Sequence, residues 1–461
     1  MKLMTKIIST KSTLLRYCEV FVLMLACYLS FAFVACLMPN GKIQHHVTRS
    51  MEKGDLQSDY PHAILPIKQA QMDNFTDALI LNQAYCINRG NLLNSMMLLP
   101  RSDYGMVDQT ANLQHLLQGE SGQQMITYPR YWHGSTFLMR YLLVVFDYPA
   151  IRLILYILSS LLFAVLLLAL WKTDGRIAVM AVITSFLLLY GFVMQFSIQF
   201  FPVLALALIG SIVVCRWLYN PGKVSLCLFI VGSLTAYFDL LTVPLLTFGL
   251  PITLFCYFRG RMRQTALMAA NSAANEKIIS VSFLSHGQYP FGKDIVQATR
   301  MGLAWAVGFG LTWISKWLIA TLTTPVNVFL DAFGKVSERA GAQSDNVWGL
   351  ADFSRWHAVT SNAQLLPYKV LIIIILLLAL LAIVRFNKKG WKTSLLLLGI
   401  SLLPYVWYFV VANHSYQHWW LTYRAQMFSV TALLLAMANI VDWPILLHKT
   451  RIEQEGDSVG R

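Results

Sequence analysis

Charge is scarce in this chain: Asp, Glu, Lys and Arg make up only 13% of its 461 residues, against 57% hydrophobic residues. A soluble globular domain carries about twice that share of charge, so a soluble enzyme or binding module is excluded. Acids are the rarer sign, 22 against 36 Lys and Arg, and the formal net charge is +14. The excess does not point to nucleic acid, because the basic residues are scattered between apolar runs and no aromatic-basic nucleic-acid module occurs. Cysteine is sparse as well. Six of the seven (Cys18, Cys27, Cys36, Cys215, Cys227, Cys256) lie in or beside apolar runs, Cys86 has no loop partner, and there is no CxxC, so neither a disulfide framework nor a cysteine metal site is indicated. His414 and His418 stand four apart, but an HExxH is lacking and two ligands do not make a metal site; none is assigned. No internal repeat is visible, which counts against the inverted-repeat transporter folds.

What is present is a series of long apolar runs separated by basic or polar stretches, the pattern of an all-α, polytopic membrane helix bundle. The expected spans are Val20–Met38, Ile151–Trp171, Ile177–Met194, Phe200–Cys215, Val224–Phe238, Leu240–Phe258, Met301–Ala320, Val370–Val384, Thr393–Val411 and Ala425–Leu447, about ten in a single integral membrane domain. Lys2, Lys6, Lys11 and Arg16 precede the first run, which is long enough for about 30 Å of hydrocarbon and reads as an uncleaved span. Basic turns such as those at Arg216, Arg261, Lys388 and Lys449 then give a multi-pass cell-membrane protein with both termini cytoplasmic. Residues 39–149 form a large first outer loop carrying short helices, 264–300 a cytoplasmic connector, and 321–368 a second large outer loop. Ser135–Phe146, broken by Arg140 and shorter than the ~20 residues a crossing needs, reads as an interfacial or re-entrant helix.

The chain is organised around Gln71-Met72-Asp73-Asn74-Phe75-Thr76-Asp77. If this stretch is helical, Asp73 and Asp77 share one face and Met72, Phe75, Leu79 and Cys86 the opposite arc. The alternative is that Asp73 or Asn74 caps a helix and Asp77 complements its dipole. The topology gathers further polar groups at the same side: Asp239 at a joint between spans, Asn413 to His418 with Arg424, and Lys316 about 22 Å along its span. A lysine at that depth either snorkels to headgroups or has a partner. His414 and His418 are also compatible with polar anchoring beside Trp419, Trp420 and Tyr423. An acidic pair facing a cationic set suits a reaction in which a carboxylate activates a hydroxyl while cations hold a lipid phosphate.

At these residues the chain resembles the C-type superfamily of multi-span glycosyltransferases (GT-C), particularly bacterial members. The matching pieces are Met72 to Asp77, Tyr128-Pro-Arg130-Tyr131-Trp132-His133-Gly134, Tyr237-Phe238-Asp239-Leu-Leu-Thr242, and Asn413-His414 through Arg424. The resemblance implies a sugar donor carried on a polyprenyl phosphate, a glycan or lipid acceptor, and an acid of the first outer loop at the reaction centre. About 35 residues separate the first span from this acid, more than in better-known members, so Asp73 and Asp77 are both candidates for the base and Asp103, Asp108 and Asp147 stay open. Lys316, Arg424 and His414 are then the expected phosphate partners, with Asp239, His418, Arg130 and His133 as further substrate-binding candidates. No cofactor is indicated, the need for a divalent cation is open, and the expected partners are membrane lipids, not nucleic acid. The rival from another class is a non-enzymatic carrier of lipid-linked saccharide, which should set its ionisable groups on broken helices at the bilayer midplane.

Overall fold

The computed structural model describes residues 2–54, 56–173, 175–276, 290–340 and 354–443. They are mostly helical, and among them the one strand pair is Pro100–Asp103 with Gln124–Thr127, antiparallel, with Pro100 opposite Thr127 and Asp103 opposite Gln124. Among the described residues, seven helices are long and apolar enough to cross a membrane: Thr13–Leu37, Tyr148–Lys172, Phe200–Trp217, Pro221–Phe238, Phe291–Thr323, Trp391–Val410 and Trp419–Asn439. An eighth is counted if Arg355–Ala363 and Tyr368–Val384, bent by 74°, make one span.

Two expected spans are absent from that set, each for a local reason. The Ile177–Met194 run is cut: its helix stops at Leu188, Tyr190 turns left-handed at φ 52°, and a short Gly191–Met194 helix follows. The Leu240–Phe258 run starts late, at Leu246, because Leu241 is left-handed (φ 71°). The helix then carries Pro251 and runs on through three arginines to Glu276. Its basic end is tied to the next long helix, where Asp294 accepts from Arg259 at 3.3 Å and pairs with Arg263. The expected connector 264–300 is therefore helical at both ends, and its residues 277–289 lie outside the described residues. So do 341–353 of the second loop, which otherwise holds Val328–Ala340 and Arg355–Ala363, and 444–447 of the last expected span.

Within the bundle, Pro221–Phe238 and Phe291–Thr323 cross at two glycines. A Cβ on Gly232 would overlap the carbonyl of Trp305, and one on Gly308 that of Phe229, so only glycine allows this approach. Hydroxyls fill the seam beside them: Ser233 meets Tyr28 at 2.9 Å and Thr312 at 2.6 Å.

The loop domain of residues 39–149 packs on this bundle through Gly134–Leu143. The helix is short, as expected, but most of its residues are buried in protein. Arg140, which interrupts the apolar run, is fully buried and donates to the carbonyls of Ala35 (2.8 Å), Met38 (3.1 Å) and Ala84 and to Asn40 Oδ1 (2.7 Å). It fastens the end of the Thr13–Leu37 helix to the loop domain by satisfying carbonyls that a helix C-terminus leaves open.

Candidate active site

The helix of the central stretch begins at Asn74, not before Asp73, and is buried nearly all round. A shared carboxylate face is therefore not formed. Asp73 is the N-cap, with Oδ1 accepting from the Thr76 N–H at 2.9 Å, and Asp77 sits in the first turn. The cap bond uses one oxygen only; Asp73 Oδ2 is buried without a protein partner. Burial, reinforced by Asp77, pushes the Asp73 carboxyl up to about 7, against the opposing Thr76 bond and the positive charge of Arg424.

Asp77 differs. Its Oδ2 accepts from Tyr148 Oη at 2.6 Å and the Ile198 N–H at 3.2 Å, and its Oδ1 from Ser197 Oγ at 3.1 Å and the Gln199 N–H at 3.4 Å. Burial still raises its carboxyl, opposed by Arg152 and these donors. Four donors leave Asp77 little room for a substrate proton. It holds the helix against the turn at residues 197–199.

Asp239 ends the Pro221–Phe238 helix. Its Oδ1 accepts from Gln199 Nε2 and from the Thr242 N–H, both at 3.0 Å, and its Oδ2 is buried without a protein partner. Burial raises this carboxyl to about 6. In the adjoining turn, Leu241 offers its carbonyl to His414 Nε2 at 2.9 Å. A carbonyl can only accept, so Nε2 carries the proton; burial, with Arg339 and His418 nearby, holds the ring well below the usual imidazole range. The His418 ring centre lies 4.8 Å from that of His414, and burial and then Arg339 lower it to about 4.

Arg424 is fully buried. It donates to the carbonyls of Gln71 at 2.9 Å and Trp420 at 3.1 Å, stacks over Phe200 and Tyr423, and keeps Nε without a partner. Since Gln71 is two residues from Asp73, this contact brings the last long helix to the loop carboxylate. Asp73, Asp77, Asp239, His414 and Arg424 thus form one connected group, joined through Gln199, Leu241 and Gln71.

Lys316, Arg130 and His133 belong to a neighbouring group. Lys316 does not snorkel: it is fully buried, donating to the Met97 carbonyl at 2.8 Å over the Trp132 ring. It caps the carbonyl end of Leu92–Leu98. Arg130 Nη1 meets both carboxylate oxygens of Asp331 at 2.9 Å. His133, left-handed at φ 57°, donates Nε2–H to the Tyr128 carbonyl at 2.7 Å, and burial lowers its ring to about 3.

The other loop acids are engaged elsewhere. Asp147 is held down to about 2 by its bonds to Lys53 and His46. Asp103 accepts from the Gly105 N–H at 2.8 Å and pairs with Arg101. Asp108 is an N-cap whose side chain makes no capping bond; Asp59 takes that role by accepting from the N–H groups of Gln109 and Thr110.

Sequence reasoning missed Gln199, Arg152, Asp59 and Arg339. Gln195, Ser197 and Gln199 form a polar interruption between two apolar runs, and Arg152 stands inside an expected span; both were available signals. No family model matches the chain, nor does any curated protein or solved structure.

Proposed function

We propose that this chain is a membrane glycosyltransferase that moves a sugar from a polyprenyl-phosphate donor to a glycan or lipid acceptor, with Asp73 as general base. The observation that carries the reading is the Asp73 carboxyl group, whose Oδ1 is fixed by the cap bond while Oδ2 is buried and unpartnered. A base needs one oxygen held and the other open, and a carboxyl raised to about 7 takes a proton efficiently near neutral pH. Asp239 has the same division of its two oxygens and is the natural second carboxylate for orienting sugar or acceptor hydroxyls.

In the proposed reaction the acceptor O–H gives its proton to Asp73 Oδ2 while its oxygen bonds to the anomeric carbon. The bond from that carbon to the phosphate oxygen breaks, and polyprenyl phosphate leaves as an anion balanced by nearby cations. One displacement of this kind inverts the anomeric configuration, by analogy with inverting glycosidases. The same reading sets the chain in the cell membrane with about ten crossings, two of them through the interrupted helices after Arg176 and before Arg259. Both termini are cytoplasmic and the site lies on the outer face.

The test is product release. Purified protein is given polyprenyl-phosphate sugars with glycan and lipid acceptors, and free polyprenyl phosphate is measured. Release coupled to a glycosylated acceptor is the expected result. No release with any donor, together with movement of lipid-linked saccharide across liposomes, would make the protein a carrier.

A further inference from the structure

Of the cations assigned to phosphate on sequence grounds, Arg130 has its charge balanced by the Asp331 carboxylate, and Lys316 and Arg424 have donors committed to main-chain carbonyls. Arg339, in the last turn of Val328–Ala340, is different. Its Nη1 donates to Tyr131 Oη, and its guanidinium lies over the Tyr131 ring, 5.5 Å from the centroid. Among the described residues no Asp or Glu pairs with it; its nearest electrostatic partners are Tyr131 and Tyr128.

The surroundings are those of an anion site. Tyr131 and Tyr128 pack edge to face at 5.4 Å, supplying a rigid aromatic wall. On the other side, Val328–Ala340 packs against Ala412–Gln417, the helix that carries His414. Arg339 therefore stands between the two groups of candidate residues, one anchored by Tyr128 to His133 and the other by His414 and Asp239. A guanidinium that no carboxylate among the described residues neutralises, set beside a tyrosine hydroxyl, recognises phosphate oxygens through directed charge-assisted hydrogen bonds. Val328–Ala340 exposes Leu330 and Phe333 on the face opposite Arg339, at 72% and 60%, as a helix lying against lipid would. Such a setting suits a phosphate whose carrier chain stays in the membrane.

We infer that Arg339, with Tyr131 beside it, is the phosphate-binding cation of this protein and takes the phosphate of a lipid-linked donor. This rests on the glycosyltransferase reading for the identity of the ligand, but not for the existence of the anion site.

The test measures binding, not turnover, on the full chain in phosphatidylcholine nanodiscs. The probes are a polyprenyl phosphate, inorganic phosphate and phosphatidylglycerol. Arg339→Gln should weaken polyprenyl-phosphate binding about tenfold or more, the loss expected for one charge-assisted contact, and Arg339→Lys should restore part of it. Arg385→Gln, outside both groups, serves as the control and should bind as the parent does. Equal binding by Arg339→Gln with an unchanged unfolding temperature overturns the assignment even if the parent transfers sugar. If the parent binds only inorganic phosphate or phosphatidylglycerol, and does so through Arg339, the anion site stands and the donor reading falls. Binding of none of the three overturns both.

Discussion

Gln199 donates its side-chain amide to Asp239 Oδ1 at 3.0 Å and its backbone N–H to Asp77 Oδ1 at 3.4 Å, so one residue links the loop domain to the end of the Pro221–Phe238 helix. The same amide reaches Thr242 at 2.9 Å. Gln199→Leu removes both side-chain bonds and leaves buried acceptors with one donor fewer. The expected cost is ~1–3 kcal/mol, read as a lower unfolding temperature in detergent. An unchanged midpoint would mean that the link does not hold the two parts together.

Asp77 and Asp73 should separate cleanly. Asp77→Asn replaces an oxygen that accepts with an NH2 that cannot, against Tyr148, Ser197 and two backbone N–H groups. The variant should unfold more readily, by ~1–3 kcal/mol. Asp73→Asn keeps a good N-cap and should change stability by only a few tenths of a kcal/mol near the pH where Asp73 is half protonated. Equal thermal losses in the two would remove the distinction between a structural and an open carboxylate.

The pH dependence has a definite sign. Asp239 is raised from 3.8 to about 6, so the folded protein binds this proton more tightly than the unfolded chain does. Its contribution to stability is present below the usual carboxylate range and is lost as pH rises from about 4 through 6. His133 and His418, lowered to about 3 and about 4, act the other way, costing stability as pH falls below 6.5. The informative quantity is the difference between parent and Asp239→Asn. Relative to the parent, the variant should gain stability as pH goes from 4 to 6. A difference independent of pH would show that the Asp239 carboxyl is not raised.

Lys316→Met tests a different role. With the Met97 carbonyl left unsatisfied at the end of Leu92–Leu98, stability should fall by ~1–3 kcal/mol while polyprenyl-phosphate binding is kept. Lost binding with unchanged stability would return Lys316 to the phosphate.

Helical class and most of the long apolar helices were legible in the sequence because each carries its own hydropathy signal. The breaks at Tyr190 and Leu241 were not legible, because left-handed residues that interrupt a helix leave no trace in hydropathy when they are apolar. At the site, the cap at Asp73 was one of two readings of the same spacing. What decided it was Thr76 and the buried approach of Asp59, whose carbonyl accepts from Asn74 and Phe75. Arg424 and Lys316 were legible as cations near the outer membrane surface, but their burial was not, and charge alone does not say whether a cation meets a substrate or a carbonyl. Gln199 and Arg339 act through partners 40 and 208 residues away, contacts that only the fold brings about.

In the proposed reaction Asp73 accepts the acceptor's proton. The measurement is sugar transfer from a polyprenyl-phosphate donor by purified parent and Asp73→Asn protein, with donor binding followed in the same samples. The transfer rate of Asp73→Asn should fall about 10²–10⁴-fold with donor binding retained, since a general base acts chiefly in the transition state. The parent rate should rise as pH passes about 7, where Asp73 loses its proton. Transfer by Asp73→Asn at the parent rate would contradict this role for Asp73.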